Sequence, residues 1–297
     1  MKKFCLFIFC LFIVSCNAVR KTETAAVFPE PIIPEKTLSY EFGPIFLPEN
    51  HALNSISLNY FTLNPEETSV YFTMAGDMDW VRKDQKPVTA HSMIFNGLEE
   101  SALYEFSIHR SQKGIHDGVI QTVPYGEDYQ FTFEVASIET NLEEKIRPHF
   151  LILLSPEEAV DEKEFFDFYR SNSRVLSSTI LLPLFDWKSN QKNFSLSDNG
   201  FYFVRYKKAT ILMVYKDQAN ADDLSKYISL NPEDENYLIL GNIDKGGKQK
   251  ILDLYGNQFK RVFVYGSPIP SYQNVVSVNK GMIVKVVNKP RFAYNRP

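Results

Sequence analysis

The chain has 297 residues, of which 44 % are hydrophobic, 14 % aromatic and 23 % charged, and its formal net charge is −4 at pH 7. Such a chain has enough apolar side chains for more than one hydrophobic core, which excludes a disordered or fibrous protein and favours two domains. The excess of acidic over basic residues argues against a nucleic-acid-binding protein and against electrostatic attraction to anionic lipid.

The N-terminal residues have the pattern of an export signal. Lys2 and Lys3 form a short positive segment, residues 4–14 are continuously apolar, and Ser15 is the small residue expected before a cleavage site. The apolar segment is too short for a membrane-spanning helix, which needs about 20 apolar residues. Residues 1–15 are therefore predicted to be a signal peptide.

The signal ends in Ile13-Val14-Ser15-Cys16. This sequence resembles the lipobox of bacterial prolipoproteins, with Ile and Val in place of the commoner Leu and Ala. The resemblance implies a lipoprotein of the cell envelope with a palmitate-type lipid anchor on Cys16. Its location would be the cell membrane or the outer membrane, facing the periplasm or the exterior. The alternative is an ordinary signal peptide with an incidental cysteine.

The cysteine positions agree with a lipid anchor. The three cysteines are Cys5, Cys10 and Cys16, and the first two lie within the predicted signal. A chain cleaved before Cys16 therefore has no cysteine pair for a disulfide, although exported proteins often contain one. Two acyl chains on one residue would hold a protein at a membrane firmly, whereas a single chain binds only marginally.

Residues 16–48 have the composition of a tether. The segment contains five prolines among Thr, Ala and Glu residues, which favours an extended linker. The alternative for its last part, from Leu38 onward, is a first strand along the next domain.

Residues 49–137 have the rhythm of short strands separated by turns. In residues 129–135, Tyr129, Phe131, Phe133 and Val135 alternate with polar residues, as a half-buried strand requires. Predicted strands are 55–63, 69–75, 90–96, 103–110, 118–123 and 129–135. Six strands with regular turns favour a β-sandwich.

Residues 95–104 carry the motif Phe-Asn-Gly-Leu-Glu-Glu-Ser-Ala-Leu-Tyr. It resembles the corner of fibronectin type III domains, where a Gly-Leu turn precedes a strand whose tyrosine hydroxyl bonds back to the turn. The resemblance implies a fibronectin type III-like β-sandwich over residues 49–137, with Tyr104 as that tyrosine. The alternative is an ordinary, partly buried aromatic residue.

Residues 138–297 alternate apolar strands with helical segments, which predicts an α/β domain. Expected strands are 149–154, 201–206, 210–215, 237–240, 262–265 and 281–287, and expected helices are 156–169, 222–229 and 248–259. In the first of these helices, Val160, Phe165, Phe168 and Tyr169 are expected to lie along one face.

The order of these landmarks resembles the calcineurin-like metallophosphoesterases, in particular the purple acid phosphatases, in which a fibronectin-like sandwich precedes the catalytic domain. Residues 150–156 stand where the family has a strand ending in Gly-Asp, and residues 182–187 where it has Gly-Asn-His-Asp or Glu. Residues 262–267 stand where it has a strand ending in Gly-His-x-His. The resemblance implies that residues 138–297 form an α/β domain like the metallophosphoesterase sandwich.

The metal ligands of that family are missing from the sequence. Its enzymes hold two metal ions through imidazoles and carboxylates, but the last histidine of this chain is His149. We therefore expect no catalytic residues, no metal and no cofactor. The corresponding positions form a vestigial cleft, which we expect Phe185 and Trp187 to fill; its residues are Ser155, Phe185, Asp186, Asn242 and Ser267.

These observations predict a chain that is not an enzyme: a membrane-anchored pseudoenzyme that binds an unidentified protein or ligand, or supports the envelope. The alternative is a hydrolase that acts on phosphate esters through a carboxylate-only metal site around Asp186 and Asp244, because hard cations bind through oxygen alone. A third interpretation makes residues 138–297 an unrelated structural domain.

The lipobox interpretation predicts the outcome of Cys16→Ser. The variant has no thiol for diacylglycerol, so it should remain as unprocessed precursor or be released, and it should not incorporate radiolabelled palmitate. Cys10→Ser, within the signal, should incorporate label as the unaltered chain does. Equal labelling of Cys16→Ser and the unaltered chain would refute the anchor.

Overall fold

The computed structural model describes residues 41–49, 52–111, 114–122, 130–142, 148–187, 200–206, 209–216, 224–225, 235–266, 273–279 and 282–287. All of them lie in one compact unit that spans residues 37–297. The predicted signal peptide, Cys16 and the predicted tether up to residue 40 lie outside the described residues, as does nearly all of the predicted helix 222–229.

The described residues form fourteen strands and two long helices. The strands are β1 (Phe42–Glu49), β2 (Ala52–Met74), β3 (Val81–Phe95), β4 (Leu103–Arg110), β5 (Gly114–Gln121), β6 (Gln130–Ser137), β7 (Phe150–Val160), β8 (Ile180–Trp187), β9 (Phe201–Tyr206), β10 (Ala209–Val214), β11 (Glu235–Leu240), β12 (Arg261–Tyr265), β13 (Val275–Val278) and β14 (Met282–Val287). The helices are α1 (Glu162–Leu176) and α2 (Lys245–Tyr255), and a 3₁₀ turn, Gly256–Gln258, follows α2. No helix in the described ranges is both long and apolar enough to cross a membrane.

All fourteen strands join one sheet in the order β13-β12-β11-β10-β9-β2-β1-β8-β7-β6-β14, with β3 and β4 paired to β2 and β5 paired to β4. Strands β10 to β13 are parallel to one another, and so are β6, β7 and β8. A helix lies within each parallel group, as an α/β layout requires: α1 connects β7 to β8, and α2 lies between β11 and β12. The predicted α/β character of the second half is therefore confirmed.

The sheet curls so that its two halves face each other across the main core. The ring of Phe133 on β6 meets that of Phe263 on β12, with centroids 5.3 Å apart. On the outer side of one half, Leu151 and Leu153 pack with helix α1. On the outer side of the other half, Leu238 packs with helix α2. The layers are thus helix, sheet, sheet and helix.

Strand β1 lies inside the sheet, between β2 and β8. Ile45, Phe46 and Leu47 are buried. The tether prediction extended to residue 48, and for residues 42–48 it is corrected: the alternative, a strand beginning after Leu38, describes them. Apolar side chains on both faces explain the difference, because they are better buried in the sheet than exposed along a linker.

The predicted fibronectin type III-like sandwich is not confirmed. Strand β2 runs through both predicted strands 55–63 and 69–75 and pairs with β1, β3 and β4. Strands β2 to β5 therefore form an antiparallel extension of the same sheet. The hydroxyl of Tyr104 does accept a hydrogen bond from the backbone N–H of Glu99, at 2.8 Å, so the local bond expected of this tyrosine is present.

The predicted helix 156–169 is displaced along the chain. Strand β7 continues to Val160, and helix α1 begins at Glu162. Asp161 starts it with a capping box: its carboxylate accepts from the N–H of Glu164, and the Glu164 carboxylate accepts from the N–H of Asp161. The predicted apolar positions Phe165, Phe168 and Tyr169 are buried on the inner face of α1.

Gly43 allows β1 to lie close to β2. Its φ is +114°, and a methyl group on its Cα would lie 2.6 Å from the Cα of Tyr60 and 2.9 Å from the carbonyl oxygen of Asn59. The register of the β1–β2 pair shifts between Phe42 and Ile45, around this glycine. Backbone atoms cannot move aside as a flexible side chain can, so the position requires glycine.

Gly43→Ala should lower the free energy of unfolding by about 3 kcal/mol or more, since it adds a backbone clash to the strain of positive φ. Gly97→Ala is the matched control: its φ is +70° and nothing lies within 4 Å of an added methyl group, so it should cost only about 1–2 kcal/mol. Urea denaturation measures both. Equal losses would show that the approach of β1 to β2 is not tight.

Candidate functional site

Four strands come together at Gly241, the residue after β11: β10 and β11 end here, whereas β7 and β8 continue beyond it. A methyl group on its Cα would lie 3.3 Å from the carbonyl oxygen of Val214 on β10, 3.4 Å from Leu154 on β7 and 3.5 Å from Leu184 on β8. The Gly241 N–H donates to the same Val214 oxygen at 2.8 Å. This edge is where α/β sheets place their ligand crevices.

Two of the predicted cleft residues come together at this edge. The side chain of Asn242 donates a hydrogen bond from Nδ2 to the backbone carbonyl oxygen of Ser155, at 3.1 Å. Ser155 is buried and Asn242 is exposed. The contact joins the middle of β7 to the loop after β11, and the two residues are 87 positions apart in the sequence.

The backbone of β7 is irregular beside this contact. Leu154 pairs with Leu184, but the next pair is Ala159 with Asp186. Residues 155–158 therefore stand opposite Phe185 alone, so β7 has three more residues than β8 here. Such bulges bend a strand and re-aim its residues, and they are common next to functional sites. Ser155 and Pro156, which the resemblance places at the end of a strand, thus lie in a bulge within a longer strand.

Phe185 lies away from the edge. It is only 3 % exposed and belongs to the core beneath α1, with Leu153, Leu181 and Phe165. Its neighbour Leu184 points to the opposite face of β8 and approaches Gly241. The side chains of Asp186 and Trp187, and all of Ser267, lie outside the described residues, so the cleft as a complete set stays a prediction.

Helix α2 adds polar groups next to Asn242. Asp244 begins the helix, and its carboxylate accepts from the backbone N–H of Gly247. In the first turn, the Lys248 ammonium donates to the carbonyl oxygen of Tyr265 at 2.8 Å, at the end of β12. The Asn242 amide, the Asp244 carboxylate and the Lys248 ammonium group therefore all belong to the segment after β11, and the ammonium group reaches the end of β12.

The described residues of this edge do not fit a pair of metal ions. In the parts of the chain that the structure describes, no three His, Cys, Asp or Glu side chains come together as a metal site would require. Asp217, Asp222 and Asp223 lie outside those parts. We therefore derive no chemical step through a metal.

The sequence analysis missed a buried phenol near this edge. Tyr202 on β9 pairs with Met213, next to the end of β10. Its hydroxyl has no hydrogen-bond partner among the described residues. Burial raises the pKa of Tyr202 well above its usual value, and neighbouring Tyr215 raises it further. The phenol therefore stays protonated at ordinary pH. The alternation along β9 predicts that Tyr202 points inward. A sequence pattern cannot show, however, that its hydroxyl has no hydrogen-bond partner among the described residues.

Comparison with known proteins gives a likeness of fold. No protein-family model matches the sequence, and no curated protein matches it significantly. Among solved structures, the purple acid phosphatase PPD1 of yellow lupin (Lupinus luteus) is similar, with a TM-score of 0.53 and 10 % identity over 82 % of this chain and 64 % of that one. The protein PhoD aligns with a TM-score of 0.49 and 9 % identity over 76 % of this chain and 70 % of that one.

The likeness to the purple acid phosphatase confirms that the fold resembles a phosphoesterase. It also contradicts the prediction that the chain is not an enzyme. That prediction is wrong because the shared fold is that of a phosphoesterase enzyme. The missing histidines led to that prediction. They exclude the ligand set of the resembled family, but they do not exclude an enzyme built on its fold.

Phe185→Ala should lower the free energy of unfolding by about 3–5 kcal/mol, the usual cost of deleting a buried aromatic side chain. Phe185→Leu, which leaves a smaller void, should lose less. Leu254→Ala on α2 is the control, because Leu254 is 51 % exposed. Thermal and urea denaturation measure all three. An unchanged melting temperature for Phe185→Ala would mean that Phe185 is exposed.

Proposed function

We propose that this protein hydrolyses phosphate esters at the edge where β10 and β11 end, beside β7 and β8. The observation that supports the proposal is the fold, which resembles that of a purple acid phosphatase over 82 % of the chain. In open α/β sheets, catalytic groups lie on the loops that follow the carboxyl ends of the strands. The polar groups at this edge are therefore the candidates for the chemistry.

A phosphate ester is an anion, so the site must supply positive charge. Lys248 lies in the first turn of α2, and its ammonium group reaches the end of β12. The N-terminus of α2 adds the positive end of the helix dipole, which the capping carboxylate of Asp244 offsets in part. Asn242, which is held against Ser155, carries an amide Nδ2 that can donate a hydrogen bond to an ester oxygen. These groups favour binding of a phosphate group beside the ends of β11 and β12.

Hydrolysis also needs a group that accepts a proton from the attacking water. Asp244 precedes α2, and Asp186 is placed at the end of β8 by its backbone pairing with Ala159. Either carboxylate could serve as a general base, a role that contributes about 10²–10⁴-fold to rate. These are also the two residues of the carboxylate-only hydrolase that the sequence leaves open.

The full chain should hydrolyse p-nitrophenyl phosphate or bis(p-nitrophenyl) phosphate above background, tested without metal and with Mg²⁺, Ca²⁺, Mn²⁺ or Zn²⁺. We expect Asp186→Asn or Asp244→Asn to lower kcat/KM by about 100-fold. Asparagine still caps a helix, so Asp244→Asn keeps the start of α2. Asp253→Asn, at an exposed position further along α2, should leave kcat/KM unchanged.

Two results would contradict the proposal. One is the absence of hydrolysis of both esters under every condition. The other is hydrolysis at equal rates by the unaltered chain, Asp186→Asn and Asp244→Asn, because the activity would then come from a contaminant or from a different site.

We also propose that the protein is held at a membrane of the bacterial envelope through lipid on Cys16. The sequence Ile13-Val14-Ser15-Cys16 supports this proposal, and palmitate labelling of Cys16→Ser tests it. The anchor is independent of the hydrolysis, since it would set where the protein acts and not what it acts on.

A further inference from the structure

Strands β2 to β5 present an ordered outward face, here called the platform. Residue pairing places Tyr71 beside Arg82 of β3 on one side and beside Ser107 of β4 on the other, and Ser107 pairs in turn with Asp117 of β5. These four residues form one row across the four strands. Side chains directly opposite each other in a sheet share a face, so the whole row faces the same way.

The neighbouring rows lie on the same face, because side chains two residues apart along a strand point to the same side. One of these rows contains Ser69, Asp84 and His109. The other contains Glu105 and Val119, and Trp80 stands two residues before Arg82 at its end. The platform therefore carries aromatic, carboxylate, hydroxyl and basic side chains, with the apolar residues Ile115 and Val119 on its β5 side.

The core does not need the platform side chains. The opposite face of the same strands carries Val70, Phe72, Phe106 and Ile108, and all four are buried. Trp80, in contrast, is 44 % exposed. Exposing a large aromatic ring to water is unfavourable, and such a ring beside convergent polar groups marks a binding site more often than a scattered apolar residue does.

The platform contains two depressions that share His109. One, of about 670 Å³, is lined by Tyr71, Trp80, Glu105, Ser107 and Asp117 among others. The second, of about 580 Å³, is lined by residues that include Ser69, Arg82 and Asp84. Because His109 lines both, the two depressions adjoin. Together they are here called the groove, and a chain-like ligand can contact both whereas a compact one cannot.

The chemistry of the groove distinguishes between ligand classes. Glu105 and Asp117 would repel a phosphate or another anion, and Arg82 is already paired with Asp84 at 2.8 Å. A simple cation would suit the two carboxylates. However, the Arg82 guanidinium already lies 5.6 Å from the centre of the Tyr71 ring, which weakens attraction of that ring for a second cation.

We propose that the groove binds an oligosaccharide. A sugar ring has an apolar C–H face and a rim of hydroxyl groups that both donate and accept hydrogen bonds. Trp80 offers a flat apolar surface with a polar tip. The ring of Tyr71 beside it is already contacted by the Arg82 guanidinium and by the His109 ring. Glu105 and Asp117 accept hydrogen bonds. The Ser107 Oγ and the His109 Nε2, which lie 2.9 Å apart, can donate or accept them. The inference does not rest on the proposed hydrolysis, because it uses none of the residues of that site.

The test uses the full chain in affinity gels that contain soluble β-glucan, xylan, starch or mannan. At least one polysaccharide should retard migration, and the matching hexasaccharide should bind in calorimetry. Trp80→Ala and Asp117→Asn should weaken binding by about tenfold or more, as expected for a central contact of a site. Met78→Ala is the matched control: Met78 lies in the same turn, is 95 % exposed and does not line the groove.

Fluorescence gives a second readout in a Trp187→Phe background, because the chain has only two tryptophans. Bound hexasaccharide should shift the emission of Trp80 to shorter wavelength, as the ring leaves water. Circular dichroism checks that each variant is folded. Retardation by no polysaccharide, equal binding by Trp80→Ala, or binding of choline or spermidine without binding of any saccharide would overturn the proposal.

Discussion

The structure depends on the burial of both faces of β7 and β8. Along β7, Ile152 and Leu154 face the opposite half of the sheet, whereas Leu151 and Leu153 face helix α1. A strand buried on both faces has no solvent-exposed side, so its sequence is continuously apolar. Polar groups can then reach solvent only where the strands end. The candidate site lies where β11 ends and the regular pairing of β7 is interrupted. The hydrogen bond from the Asn242 side chain to the backbone carbonyl oxygen of Ser155 is its best-defined feature.

The burial of strands also explains the roles of two histidines close to the core, His91 and His149. His91 is buried, stacks on Tyr60 with ring centroids 4.3 Å apart, and lies within hydrogen-bond distance of the hydroxyls of Thr62 and Thr68. His149 accepts a hydrogen bond at Nδ1 from the N–H of Thr132, and burial lowers its pKa. These imidazoles satisfy polar groups within and between strands. They are therefore committed to the fold, far along the sequence from the loops after β10 and β11.

Charge is buried with its partners for a similar reason. Glu66 is almost fully buried on β2, and Arg110 on β4 forms ion pairs with both Glu66 and Glu41. A single buried carboxylate would be costly, whereas a hydrogen-bonded pair with arginine offsets much of that cost. This cluster connects the start of β1 to the strands that carry the platform. The platform therefore rests on a rigid base, which a groove with pre-positioned side chains requires.

The sequence by itself determined the local elements whose pattern is strong. Strands 103–110 and 201–206 were predicted to the residue, and the inward positions Phe165, Phe168 and Tyr169 of α1 were identified correctly. It also indicated the likeness to phosphoesterases, through the order of its landmarks. These features depend on alternation and on neighbouring residues, which a one-dimensional pattern records.

Only the tertiary structure decided how those elements combine. The continuity of β2, the position of β1 between β2 and β8, and the placement of Phe185 beneath α1 depend on contacts between distant segments. The rows of the platform arise in the same way, because Tyr71, Ser107 and Asp117 become neighbours only when three strands pair in one register. A shift of one residue in that register would turn each of these side chains to the other face. Register is set by the packing of the whole sheet, and for that reason the sequence pattern of a single strand could not predict it.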